Sequence, residues 1–515
     1  MKVLTTDIAL HVIKELIARG VHEFCLCPGA RNSLFVTLLE ANEALKTYTF
    51  YEERSAAFFA LGLARQTKKG VAVITTSGTA AGELLPAVME AHYLGVPLVL
   101  VTADRPRRYR GTGAPQTAEQ VDLYKSYVSY SQDVAGEETC DLSNWLGKSP
   151  LHLNVCLEDP RSKASVITFE EPEVNTLDEF LSSVSCPLVV VSALDTEDRE
   201  SVIIFLIKLN CPVILEGISG LRDEPRLSAL QIKQTDYLLN TSKCHGYLID
   251  GVLRIGGIPT LSLWRNLEVM HSEIKVFSIS PLPFKGLNFG SLIQCDISKF
   301  FKSYRLPIRF ESPKNWLEAD IKWYSRLVTL YEEIPTASPS IMHRLSKLIP
   351  ANAHVYLGNS LPIREWDLAA TYENKNFQVK ASRGLNGIDG QMSTFFGLST
   401  KDRPNFAILG DLTTLYDMAA PWILPQIPEI TATVIVINNG GGKIFTRMFT
   451  SEIFQNNHDL NFKPLADMWG MEYEKWEFGL SGFDACKDTK KNRLIEIIPD
   501  NKATGQFWDR LDLTR

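Results

Sequence analysis

FAILGDLTTLYD (406–417), followed by TVIVINNGGGKIF (433–445), twice sets a short apolar run against a polar ending. Apolar runs without polar alternation suit strands buried on both faces, as in parallel sheets covered by helices. The first run closes on Gly410-Asp411, and the second closes 28 positions after Asp411 on Asn439 and three glycines. Open parallel sheets bind ligands beyond the carboxyl ends of their strands. A carboxylate and an amide oxygen on two such loops suit Mg²⁺ (or Mn²⁺), a hard ion that takes oxygen ligands and bridges diphosphates. Glycines at 440–442 let the backbone approach closely, so the carbonyl of Gly441 could complete the set.

The same rhythm extends outward. In the first third, HEFCLC (22–27), VAVITT (71–76) and VPLVLVT (96–102) end in the loops PGARNS, SGTAAG and ADRPRRYRGTG, which a parallel sheet would gather on one edge. Before them, Ile8, Val12, Ile13, Leu16 and Ile17 mark one face of a helix, with Thr6 as its cap and Gly20 as its stop. The middle repeats the alternation in PLVVVSA, CPVILEG, GYLIDGVLRIGG, EIKVFSIS and SLIQCD, and the last block does so in HVYLGNS (354–360) and RLIEII (493–498). Polar stretches at 157–179 and 309–320 read as breaks. A chain of 515 residues exceeds one core, and three α/β domains are expected, over 1–175, 183–310 and 320–515.

Composition narrows the function classes. Hydrophobic residues at 45% and charged residues at 22% describe a soluble globular chain, and the net charge of −7 argues against nonspecific nucleic-acid binding. No apolar run reaches the roughly 20 residues of a membrane helix, so stable membrane insertion is not expected and a cytoplasmic enzyme is. The cysteines form no CxxC, and Cys25 and Cys27 alternate in an apolar strand, where buried free thiols are expected. No HExxH supports zinc, and PGARNS stands where a nicotinamide fingerprint would need GxGxxG.

Gly410-Asp411 with Asn438-Asn439 resembles the cofactor motif of the thiamine-diphosphate-dependent decarboxylase superfamily. The resemblance implies three parallel-sheet domains of the thiamine-diphosphate-binding fold: pyrimidine-binding, middle and diphosphate-binding. It also implies a glutamate facing the cofactor's aminopyrimidine, and Glu53 in FYEERSAAFFALGLA (50–64) matches that position. There the carboxylate would favour the imino tautomer that removes the thiazolium proton. A glutamate block before the metal block fits this superfamily, not the transketolases, where the order is reversed. Sites in the superfamily join two subunits, so a homodimer or homotetramer is implied.

Further motifs narrow the resemblance to the menaquinone-pathway branch: PGARN (28–32), TSGTA (76–80), TADRP (102–106), GAPQ (113–116), GNSLPIR (358–364), SRGLNGIDG (382–390), GDLTTLYD (410–417) and NNGGGKIF (438–445). That branch joins 2-oxoglutarate to isochorismate with loss of CO₂. Both substrates are dianions, and arginine forks hold carboxylates in bidentate fashion. Arg31, Arg105, Arg364 and Arg383 fall at the branch's substrate positions, and Gln116 at a polar contact. Ser77, Gly78, Asn359 and Ser360 match cofactor-binding loops. Ile388 matches the side chain that props the bent cofactor, and Ile444 and Phe445 match the pocket wall. Ala30 and Pro115 replace the usual serine and asparagine, and Ser262 stands near a frequent lysine, which leaves open a different acceptor or an impaired homologue.

Overall fold

The computed structural model describes residues 5–28, 31–42, 44–50, 53–107, 110, 118–136, 138–157, 177–271, 273–287, 290–384, 386, 388–447, 457–480 and 491–513. Within them lie three sheets whose strands pair in parallel throughout. The first contains β1 (Glu23–Leu26), β2 (Lys46–Thr49), β3 (Val71–Thr75), β4 (Leu98–Asp104), β5 (Tyr130–Ala135) and β6 (Leu151–Cys156), ordered β2-β1-β3-β4-β6-β5. The second contains β7 (Pro187–Val191), β8 (Val213–Leu215), β9 (Gly251–Ile255), β10 (Lys275–Ser280) and β11 (Ser291–Gln294), ordered β11-β10-β9-β7-β8. The third contains β12 (His354–Leu357), β13 (Gln378–Lys380), β14 (Asn405–Gly410), β15 (Ala432–Ile437), β16 (Glu472–Glu477) and β17 (Arg493–Ile498), ordered β13-β12-β14-β15-β17-β16.

Sheets one and three therefore share one winding, with the second strand outside the first and the sixth inside the fifth. The direction of winding reverses between β1 and β3 and between β12 and β14, the crevices where open α/β sheets bind ligands. The central strands are apolar on both faces: all of β3 and β15 is buried. Edge strands β2, β5, β13 and β16 are half-exposed and polar, so no apolar run announces them.

By packing, the chain forms two compact units. One comprises Met1–Glu171, Gly384–Lys401 and Thr413–Ile430; the other comprises Pro172–Arg383, Asp402–Leu412 and Thr431–Arg515. In the first unit the helix Glu53–Thr67 lies against Gln391–Leu398. Small residues make this contact possible: a Cβ on Gly62 would stand 2.6 Å from the Thr394 carbonyl oxygen, and one on Gly397 would stand 2.5 Å from that of Phe59. Asp417 pins the helix pair, accepting from Ser393 N (2.7 Å), Ser393 Oγ (3.0 Å) and Ser55 Oγ (3.4 Å).

Two local expectations are corrected. The first helix spans Thr5–Ala18, so Thr6 lies inside it and is not its cap, although Ile8, Val12, Ile13, Leu16 and Ile17 are buried as the pattern requires. It ends before Gly20, where Val21 N–H reaches back to Leu16 O (3.1 Å). The polar stretch 309–320 is only partly a break, because the helix Lys314–Glu333 begins inside it and buries Trp316 and Asp320. Asp320 is polar but structural: its carboxylate accepts the N–H groups of Lys233 and Gln234, each at 2.9 Å. Cys25 and Cys27 are buried free thiols, and burial pushes the Cys25 thiol well above its ordinary value.

Candidate functional site

Asp411 follows β14 as the first residue of the helix Asp411–Tyr416, and Asn439 lies just beyond neighbouring β15. Three oxygens meet there. Asn439 Oδ1 lies 2.6 Å from the Gly441 carbonyl oxygen and 3.3 Å from Asp411 Oδ2, with no donor among them. Either the amide turns its nitrogen inward or a cation sits between the oxygens. Octahedral Mg²⁺ with ligands at 2.0–2.1 Å separates adjacent oxygens by about 3 Å; the 2.6 and 3.3 Å separations straddle that value, and the turned amide meets the same two oxygens as a donor. Gly440 and Gly441 have φ of +79° and +131°, backbone that side chains rarely adopt, which turns the Gly441 carbonyl toward Asn439. Among the described residues no group of three His, Cys, Asp or Glu forms a rival seat.

Asp411 is held from several sides. Its Oδ1 accepts Leu412 N–H (2.7 Å), and its Oδ2 accepts those of Gly440 and Gly441 (2.9 Å each). Burial raises its carboxyl above the ordinary value, while these N–H groups and His458 oppose the rise. His458 Nε2 lies 3.5 Å from Asp411 Oδ2. Nothing in the sequence singled out His458, since it sits on a separate loop with no spacing relation to Asp411.

Beyond β12, the loop GNS carries Asn359 and Ser360. Ser360 has φ +72° and ψ −125°, a strained region that costs a non-glycine residue about 1–3 kcal/mol and gathers at functional sites. The helix Leu361–Ala369 starts immediately after it, with Pro362 in its first turn and the Ile363 N–H donating to Gly358 O (3.1 Å). Arg383 Nη1 donates to Asn359 Oδ1 (2.8 Å), Asn359 Nδ2 donates to Ser382 O (2.9 Å), and exposed Arg364 donates to Ser360 O (2.6 Å). The structure thus joins two expected cofactor residues to two expected substrate arginines.

The same helix carries Asp367, which accepts Gly217 N–H at 2.7 Å. Beside it, buried Glu216 accepts the N–H of Thr260 and of Leu261 (3.1 Å) and the hydroxyl of Ser192 (2.6 Å). Burial, reinforced by Asp367, holds the Glu216 carboxyl above its ordinary value. A carboxyl whose folded value is raised contributes stability below its unfolded value and loses it as pH rises through the folded one. Glu216→Gln keeps an oxygen for both N–H groups and carries no charge. Its Tm at pH 8.5 should exceed wild type by about 3 °C, converging by pH 5; a wild-type advantage at both pH values would contradict this.

In the first unit, half-buried Glu53 opens its helix beyond β2, and half-buried Ile388 lies three residues before the partner helix Gln391–Leu398. Ser77 is buried after β3, and Gly78 N–H donates to Gln120 Oε1 (2.7 Å). Arg31 donates to Leu157 O (3.0 Å), and Arg105 N–H donates to Asp104 Oδ1 (2.7 Å). Ile444 is half-buried in the turn Lys443–Phe445 of the other unit. Gln116, Ala30, Pro115 and the side chain of Phe445 lie outside the described residues. Ser262 Oγ donates to Asp236 Oδ1 (3.0 Å).

In the basic run RPRRYRG (105–111), Arg107 and Arg110 are ion-paired. Arg107 binds Asp133 (2.7 Å) and both oxygens of Glu138 (2.7 and 2.8 Å), and Arg110 binds Asp133 (2.6 Å) and Asp104 (3.2 Å). Burial pushes Asp133 up, but hydrogen bonds from Arg110, Asn154 and Arg107 outweigh it and hold it at about 2. These arginines are committed within the chain and do not compensate for changed substrate positions.

Comparison with known proteins places this geometry. Residues 6–123 match the family model for the thiamine pyrophosphate enzyme N-terminal TPP binding domain. A solved structure described as a putative thiamin diphosphate-dependent enzyme from Mycobacterium smegmatis superposes with TM-score 0.69, covering 97% of this chain and 99% of that one at 15% identity, a likeness of fold. The 2-succinyl-5-enolpyruvyl-6-hydroxy-3-cyclohexene-1-carboxylate synthase of Bdellovibrio bacteriovorus is 40% identical, with 98% of each chain covered. The protein of that name from Akkermansia muciniphila is 36% identical, covering 97% of this chain and 98% of its own. Likeness at this level over nearly the whole of each chain means that the protein belongs to the 2-succinyl-5-enolpyruvyl-6-hydroxy-3-cyclohexene-1-carboxylate synthase family.

Proposed function

We propose that the chain decarboxylates 2-oxoglutarate and joins the remaining four-carbon unit to isochorismate, forming 2-succinyl-5-enolpyruvyl-6-hydroxy-3-cyclohexene-1-carboxylate for menaquinone biosynthesis. The observation that carries this reading is the convergence of Asp411, Asn439 and Gly441 at the carboxyl edge of the third sheet, in a chain 40% identical over nearly its whole length to a synthase of that name. Those three would hold Mg²⁺ (or Mn²⁺), which would supply positive charge for the diphosphate of a bound cofactor. Thiamine diphosphate supplies, when bound, the electron sink that decarboxylation of a 2-oxo acid requires.

The chain's own residues orient and exclude. Asn359, Ser360, Ser77 and Gly78 bind the cofactor, while Ile388, Ile444 and Phe445 line its pocket and keep water out. Glu53 is the catalytic residue, holding and exchanging a proton at the aminopyrimidine. Arg31, Arg105, Arg364 and Arg383, with Gln116, bind the substrate carboxylates. The three sheets support domains over 1–175, 183–310 and 320–515, the last boundary falling inside the helix Lys314–Glu333. The working unit is a cytoplasmic homodimer or homotetramer with sites shared between subunits. Among the described residues no helix is long and apolar enough to cross a membrane.

A second reading keeps the first half-reaction and changes the acceptor. It is favoured by Ser262, which binds Asp236 and stands near a position where the family often carries a lysine. One assay separates the two: protein, thiamine diphosphate, Mg²⁺, 2-oxoglutarate and isochorismate are mixed and isochorismate absorbance is followed. The proposal expects consumption of isochorismate to match release of CO₂. Release of CO₂ with isochorismate untouched supports the second reading.

A further inference from the structure

Beneath the loops that follow β3 and β4 lies a buried chain of hydrogen bonds. Gly78 N–H donates to Gln120 Oε1 (2.7 Å), and Gln120 Nε2 donates to Asn154 Oδ1 (3.0 Å). Asn154 Nδ2 donates to Asp104 Oδ2 (3.0 Å), whose Oδ1 accepts Arg105 N–H (2.7 Å). We infer that Gln120, Asn154 and Asp104 form a positioning relay that fixes the Ser77-Gly78 loop and the Arg105 loop relative to one another. The inference rests on the reading above, in which the first loop binds cofactor and the second binds substrate.

Polarity makes the relay directional. Gln120 must turn its oxygen to the Gly78 N–H, which leaves its nitrogen for Asn154. Asn154 then turns its oxygen to Gln120 and its nitrogen to Asp104 Oδ2 and to Asp133 Oδ1 (2.8 Å), so neither amide can flip without breaking at least two bonds. Gln120, Asn154 and Asp104 are 1%, 0% and 0% exposed, so water does not substitute for a lost partner. Thr102 Oγ1 also donates to Asn154 Oδ1 (3.0 Å), and Arg110 steadies Asp104 Oδ2 (3.2 Å). Strands β3, β4 and β6 are consecutive neighbours in the sheet, so the relay runs across its carboxyl edge. An ångström of misplacement at a reacting group is worth on the order of 10²-fold in rate, and such a relay denies each loop that freedom.

The test is a double-mutant cycle between Gln120→Glu and Asp104→Asn, which are near-isosteric and lie at opposite ends of the relay. Glutamate at 120 sets an oxygen against Asn154 Oδ1. Asparagine at 104 keeps one acceptor, so its nitrogen is set against either the Arg105 N–H or Asn154 Nδ2 and Arg110. KM is measured for 2-oxoglutarate in decarboxylation alone and for both substrates in the coupled reaction, so failure of the acceptor assignment leaves the test intact.

Each variant should raise KM for the same substrate by about tenfold, equivalent to about 1.4 kcal/mol, and the double variant should match the larger single effect, not their product. The Gln120→Glu defect should shrink toward pH 5, because a protonated carboxyl donates to Asn154 as the amide did. The charged and titratable groups of the surrounding network are Asp104 on β4, Asp133 on β5, His152 and Cys156 on β6, Tyr124, Arg107 and Arg110. Burial holds His152 down at about 4, so it stays neutral over this range. Multiplicative effects, or KM unchanged in folded variants, would overturn the relay. If Asp104→Asn fails to fold, the pH response of Gln120→Glu decides alone: recovery supports the relay and a flat deficit overturns it.

Discussion

Replacing Glu53 by glutamine is expected to reduce turnover by about 10²–10⁴-fold, the usual contribution of a positioned proton-transfer group. Glutamine preserves the size of the side chain and can still hydrogen-bond, but it neither takes up nor releases a proton. Glu53 begins the helix Glu53–Thr67, which is held in place by buried Ala56, Ala57, Ala60 and Gly62. The variant should therefore keep its circular dichroism and Tm while losing both CO₂ release and isochorismate consumption. Turnover within threefold of wild type would remove Glu53 from its assigned role.

The second large effect is expected at Asp411→Ala. In wild type, ligand at 100 times its Kd stabilises the fold by about 2.7 kcal/mol, which a thermal-shift measurement reads directly. The alanine variant removes the carboxylate of the oxygen cluster and leaves the N–H groups of Leu412, Gly440 and Gly441 without their acceptor. Cofactor affinity at fixed Mg²⁺ should fall by at least about 100-fold, since altering even the groups behind metal ligands commonly costs 10–100-fold. The shift on adding thiamine diphosphate and Mg²⁺ should then nearly vanish. An undiminished shift would show that the metal does not sit at Asp411.

What could be read in the sequence follows from where the physics is local. Buried central strands such as VAVIT and ATVIVI declare themselves because both faces are apolar, and the loops at their ends gather on one edge. Asp411 and Asn439 were legible because two neighbouring strands carry them at corresponding ends. Edge strands were not legible: EYEKWE (472–477) faces solvent along much of its length and keeps no apolar period. The pairing of Arg107 and Arg110 was hidden because Asp133 lies on the edge strand β5, more than 20 positions away. Gln120, Asn154 and Asp104 were hidden for a similar reason, since only the lateral pairing of β4 with β6 brings Asp104 and Asn154 beside one another and beneath Gln120. The helix Lys314–Glu333 read as a break because its apolar residues, Trp316, Trp323, Leu327 and Leu330, are spread through charged neighbours on one face.

The most direct measurement is a crystal structure of the protein with thiamine diphosphate and Mn²⁺, using anomalous scattering to locate the metal. The account predicts one anomalous peak bounded by Asp411, Asn439 and the Gly441 carbonyl, touching the diphosphate, with a Glu53 carboxylate within hydrogen-bond reach of the same cofactor's aminopyrimidine. A peak elsewhere, or a Glu53 turned to solvent away from every cofactor ring, would contradict it.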